Sequence, residues 1–135
     1  MYDKIIIASA LDQGFCDKAI NAARALVSAN GTVTIMHVIE PVNNVVQSFV
    51  SEDAKSKTYE TIKEIMAQRC LDDDLNTESV ILAGHAGSEI PKYAAKINAD
   101  CIIVGSHKPG LEDFFLGSTS ARIVRHAKCA VHVLR

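Results

Sequence analysis

The sequence predicts an α/β protein built on an open, doubly wound, five-stranded parallel sheet with four helices. Five short runs rich in β-branched residues alternate with four segments whose apolar positions recur at steps of three and four. Several of the runs are apolar without interruption, the pattern of strands covered on both faces rather than one. Strands that alternate with helices along the chain need crossover connections, and right-handed crossovers place the helices on both sides of a parallel sheet.

Lys4-Ile5-Ile6-Ile7-Ala8 is the first such run and reads as a strand ending in small residues. From Cys16 to Val27, Cys16, Ala19, Ile20, Ala23, Leu26 and Val27 form one apolar helical face, and Asn30-Gly31 follows as a natural helix stop. Thr32 to Val38 is the second strand, and Pro41, Asn43 and Asn44 mark the loop after it. Ala54, Thr58, Ile62, Ile65, Met66 and Arg69 share a face of a longer second helix, for which Ser51 is the expected N-cap. Asp72-Asp73-Asp74 reads as a solvated turn, since one short acidic run brings no converging metal ligands. Glu78 to Ala83 is the third strand. Ser88 to Ile97 is the third helix, with Pro91 expected in its first turn, where a missing N–H costs little. Cys101 to Val104 is the fourth strand, Ser118 to Ala127 the last helix, and Ala130 to Leu134 the fifth strand.

At 135 residues the chain has the length of a single domain over 1–135, enough to bury about two-thirds of its unfolded surface. Hydrophobic residues are 48% and charged residues 22%, which argues against disordered and low-complexity classes. A formal charge of −2 supplies no excess of cations for a polyanion, so no nucleic acid partner is expected. No apolar run approaches the roughly 20 residues that span a bilayer, and no signal peptide opens the chain, so membrane insertion is not expected. Cys16, Cys70, Cys101 and Cys129 lie far apart without a C-x-x-C pair and read as reduced thiols of a cytoplasmic protein.

In sheets of this kind ligands bind beyond the carboxyl ends of the strands, at the point where strand order reverses. The segments of interest therefore follow the first, second and fourth strands. The richest is Gly105-Ser106-His107-Lys108-Pro109-Gly110, which leads through Leu116 to Gly117-Ser118-Thr119-Ser120 at the start of the last helix. Glycine beside a helix start admits a ligand close to the backbone, and the free N–H groups with the positive end of the dipole favour phosphate. Ser118 and Thr119 add hydroxyl donors, and Lys108 a mobile positive charge. The competing reading is structural: Ser118 is a good N-cap, Gly105 ends a strand, and Pro109-Gly110 is ordinary turn chemistry. Neither a P-loop nor a G-x-G-x-x-G fingerprint occurs. His37, His85, His107, His126 and His132 are scattered, and His107 beside Ser106 makes no nucleophile–base pair because neighbours in a chain point apart.

Gly105-Ser106-His107-Lys108-Pro109, then Leu116-Gly117-Ser118, then Val124 through Arg135 resemble the C-terminal signature of the universal stress proteins. The opening strand, His37-Val38 and Gly84-His85-Ala86-Gly87 extend that resemblance over nearly the whole chain. It implies an adenine nucleotide alpha hydrolase-like fold with strand order 3-2-1-4-5, a homodimer, and, in one subgroup, an ATP site; Ala130 to Leu134 would leave an exposed apolar edge in a monomer, so the homodimer is expected through this C-terminal strand. That subgroup carries G-x-x-G, nine residues, then G and Ser or Thr. Gly105 matches the first glycine and Gly117-Ser118 the last pair, whereas Lys108 stands at the second glycine and the loop is one residue shorter. A shorter S-H-R/K-P variant, found among nucleotide binders, matches more closely.

Carried over to this chain, the resemblance places Gly105, Ser106, His107, Lys108, Gly117, Ser118 and Thr119 around ribose and phosphates. It gives the adenine edge to the backbone of Val38, and Ala8, Ser9 and Ala10 line the site after the first strand, Ala10 standing where relatives carry aspartate. The function it implies is a stress or regulatory switch that binds ATP, with or without Mg2+, and acts on an unidentified protein partner. Turnover would be absent or at most that of a slow ATPase. The alternative is a nucleotide-independent dimeric interaction module of the same fold. A nucleotidyl transferase is disfavoured because no H-x-G-H motif occurs, and a receiver domain because the third strand ends without an acceptor aspartate.

Overall fold

The computed structural model describes residues 1–9, 11–41, 48–70, 74–106 and 116–135. Its elements run β1 (Tyr2–Ile7), α1 (Gln13–Leu26), β2 (Val27–Ile39), α2 (Glu52–Arg69), β3 (Thr77–Ala83), α3 (Ala86–Ile97), β4 (Cys101–Gly105), α4 (Ser118–His126) and β5 (Ala130–Leu134). The five strands form one parallel sheet in the order β3-β2-β1-β4-β5, as expected.

Period-two alternation divides the core into two layers. Ile5, Ile7, Val33, Ile35, Cys101 and Ile103 pack under α1 and α2, and Ile6, Met36, Val38, Ile102 and Val104 pack under α3 and α4. This double coverage is why the central strands read as unbroken apolar runs. Burying each of Ile5, Ile6 and Ile7 completely stabilises the fold by about 1.5–3 kcal/mol.

Helix α1 starts at Gln13 rather than Cys16, because the Asp12 carboxylate accepts a hydrogen bond from the Phe15 N–H at 3.0 Å. It also ends without using Asn30-Gly31 as its stop. The chain passes from Leu26 directly into β2, Val27 pairing with Tyr2 before the register shifts to Lys4 opposite Thr32. The Ser28 hydroxyl donates to the Asp3 carboxylate across this irregular stretch. Gly31 is buried there with 3.0 Å between the place of a Cβ and each of the Tyr2 and Asp3 carbonyl oxygens. Its role is close strand approach, not helix termination.

Ser51 caps α2 as expected, its hydroxyl accepting from Ala54 N–H at 3.1 Å. The anticipated apolar face is only half used: Ile62 and Met66 are buried, while residues 52–61 are all exposed. Helix α3 begins two residues earlier than the sequence suggests. The Ala86 N–H donates to the Glu40 carboxylate at 3.1 Å, and the His85 carbonyl accepts from Ser88 and Glu89. Pro91 consequently lies inside the helix rather than in its first turn. Asp100 accepts from the Asp3 and Lys4 N–H groups at 2.8 and 2.9 Å, fastening the turn before β4 to the start of β1. Of Asp72-Asp73-Asp74, only Asp74 falls among the described residues, and it is exposed.

Candidate functional site

β1 stops at Ile7, level with Ile35 of β2 and Ile103 of β4, while β2 continues to Ile39 and β4 to Gly105. A crevice therefore opens over the end of β1, where the order of strands reverses. Ala8 donates its N–H to Ile103 at 3.0 Å, which leaves Ser9 to enter the crevice edge. On β2, Val33 N–H donates to Asn76 and the Ile39 carbonyl accepts from Gly84, so odd-numbered residues turn their main chain toward β3. By alternation Val38 turns its N–H and C=O toward β1, beyond the last β1–β2 pair at Ile7 and Ile35. The Val38 side chain is buried beneath α3.

The other wall is the junction of β4 with α4. Ser106 N–H donates to Leu134 at 2.8 Å, Gly117 N–H donates to Ser106 at 2.6 Å, and the Ser120 hydroxyl donates to the Gly105 carbonyl. Gly117, not Ser118, is the N-cap of α4, and it has no side chain with which to satisfy the first turn. The first bond into the helix is Ala121 N–H to Gly117, and Ser118 and Thr119 are exposed at the end. Dipole and N–H groups there favour an anion. A Cβ on Gly105 would meet the Phe15 ring at 3.4 Å, an ordinary contact, so this glycine faces a side chain rather than open space.

The structure thus brings Ala8, Ser9, Val38, Gly105, Ser106, Gly117, Ser118 and Thr119 to one edge of the sheet. Ala10, His107 and Lys108 lie outside the described residues, as do Pro109 and Gly110. Ser120 was not anticipated; its hydroxyl joins β4 to α4, and the third hydroxyl residue in Gly117-Ser118-Thr119-Ser120 was its sequence signal. Both main-chain groups of Ser106 are committed, and the residue is buried.

Outside the crevice, His85, His126 and His132 are exposed, and His37 is half-buried, its imidazole held below the ordinary pKa by burial. All four cysteines are free. Burial raises each thiol, most at Cys101, pushed up to about 11, which suits inert structural thiols. Among the described residues no three His, Cys, Asp or Glu side chains converge as metal ligands, and no helix is long and apolar enough to cross a membrane.

A second concavity was invisible in the sequence. A cleft of about 810 Å³ lies between the ends of β2 and β3 and the exposed half of α2. Ile39, Pro41, Val50, Tyr59 and Ala83 give it apolar walls.

The fold defines a class: an adenine nucleotide alpha hydrolase-like domain, with its crevice over the first strand, between the second and the fourth. Within that class the chain belongs to the universal stress protein family, whose model matches residues 1–135. It is 24% identical over 144 residues to universal stress protein G of Shigella flexneri, each chain covered completely. It is 29% identical over 147 residues to universal stress protein A homolog 2 of Coxiella burnetii, covering 99% of this chain and 95% of that one. Among solved structures, MJ0577 superposes with a TM-score of 0.82 at 27% identity, over 99% of this chain and 96% of the other. More distant family structures were solved with cAMP (TM-score 0.69, 17% identity, 99% and 97% covered) and, from Archaeoglobus fulgidus, with dAMP (0.62, 15%, 100% and 98%).

Proposed function

We propose that the crevice binds an adenine nucleotide, ATP with or without Mg2+, and that the protein is a dimeric regulatory switch of the cytoplasm with little or no turnover. The observation that carries this reading is the pairing of two unlike surfaces across the end of β1. On one side the uncapped start of α4 at Gly117-Ser118-Thr119 suits phosphate; on the other the main chain of Val38 offers a donor and an acceptor to a base edge. The cAMP and dAMP complexes of distant relatives support the choice of adenine. His107 and Lys108 would join the phosphates from the loop after β4.

Dimerisation is proposed through β5, the last strand of the sheet, with its outer edge paired to a second copy. A regulatory protein partner would read the surface that nucleotide changes. The packing of Phe15 on Gly105 favours a second reading, a nucleotide-independent dimeric module, because it closes part of the approach to that glycine.

One experiment separates the two. Freshly purified protein is denatured, released nucleotide is identified by mass spectrometry, and the emptied protein is titrated calorimetrically with ATP and Mg2+. Stoichiometric adenine nucleotide, and binding weakened by Lys108→Ala and Gly117→Val, is the expected result. Absence of nucleotide together with no heat at millimolar ATP selects the second reading.

A further inference from the structure

Three kinds of surface follow one another along the carboxyl edge of the sheet. At β4 the start of α4 favours an anion; at β2 the Val38 main chain offers hydrogen bonds; over β2 and β3 lies the apolar cleft. Adjacent strands are about 4.8 Å apart, so the cleft begins within one strand spacing of Val38. Ile39, next to Val38 in the chain, lines it. A ligand with its phosphates at α4 and its base edge on Val38 therefore directs the far end of the base toward the cleft.

The chemistry of the cleft limits what enters. Glu40 is engaged with Ala86 N–H, and Lys55 is drawn to Glu52 at 3.4 Å. Glu60 is exposed on α2. The Thr58 hydroxyl donates to the Ala54 carbonyl at 3.0 Å, so what remains beside the Glu60 carboxylate is an apolar wall with the Ser56 hydroxyl, in a volume within the range of about 300–1,000 Å³ typical of small-molecule sites. Among the described residues that line the cleft, none offers an uncommitted cation for a further phosphate.

We infer that this cleft is a base-side subsite, and that the preferred ligand is an adenine nucleotide carrying a neutral apolar or aromatic group on its exocyclic amine. The inference rests on the nucleotide reading above and adds the ligand's far end. A single substituent on the amine leaves one N–H for the Val38 carbonyl, so the base contact survives while the added group leaves water.

The test compares ATP with N6-benzyl-ATP on the full chain by calorimetry. Benzyl-ATP is expected to bind at least about tenfold more tightly, the effect of burying most of a phenyl ring. Ser56→Trp, an exposed position on α2, places an indole in the cleft and should bring the two affinities together. Benzyl-ATP binding no better than ATP overturns the inference and leaves the nucleotide reading intact; a preference undiminished in Ser56→Trp overturns its assignment to this cleft. Failure of both nucleotides to bind overturns the nucleotide reading and the inference with it.

Discussion

His37 shows how much one residue's chemistry depends on its neighbours. It sits on the α1/α2 face of β2, half-buried, and burial holds its pKa below 6.5. The folded protein therefore resists protonation more than the unfolded chain does. Stability from this group is complete above pH 6.5 and declines as pH falls below it, since the unfolded state then binds more protons. Urea midpoints for the parent and His37→Gln, taken at about pH 7.5 and about pH 5, should show the parent losing more stability than the variant. Equal losses would remove His37 from the acid response. Serine hydroxyls illustrate the same dependence: the cap Ser51 was readable from its position before an apolar period, and the tie made by Ser120 was not, because its acceptor, the Gly105 carbonyl, comes from a strand 15 positions earlier.

Elements were legible where their pattern is local. Residues of β4 and β5 are named by their apolar runs, with Gly105 the one addition to β4. The junction of α1 and β2 was misread because Asn30-Gly31 looks like a helix stop, while the actual stop is the pairing of Val27 with Tyr2 across the sheet. Gly31→Ala tests that account. Its Cβ would lie 2.5 Å from a Val27 methyl carbon and 3.0 Å from two carbonyl oxygens, so the strands must part. A loss of about 1–3 kcal/mol in urea denaturation is expected, and a neutral result would show that the junction relaxes freely. Helix α2 carries a different lesson. Periodicity announced a buried face along its whole length, but burial stops above Ile62, and the cleft depends on how far that upper half stands from β2 and β3, which no local pattern encodes.

At the scale of the molecule, alternation of strand and helix was sufficient to give the parallel sheet, and the resemblance supplied its order, which the structure reproduces. The crevice was legible as a place, because topology dictates it, whereas the commitment of Gly105 and Ser106 to Ser120, Leu134 and Gly117 required coordinates. The proposed pairing through β5 has a specific test. Leu134 and Ala130 turn their main chains toward β4, so Val131 and Val133 turn theirs to the outer edge. Val133→Pro removes one outward donor without touching the β4 ladder. Light scattering should give about twice 14.6 kDa for the parent and a single chain mass for the variant. A monomeric parent would refute the pairing.

The bonds from Gly117 to Ser106 and from Ser120 to Gly105 tie a neck at both ends of residues 107–115. Once a neck is tied, the entropic cost of closure rises only with the logarithm of the length enclosed, about 0.6 kcal/mol for a doubling. Removing a single residue from such a segment barely changes the free energy of the scaffold. The spacing between Gly105 and Gly117 can therefore change by a residue without disturbing the sheet.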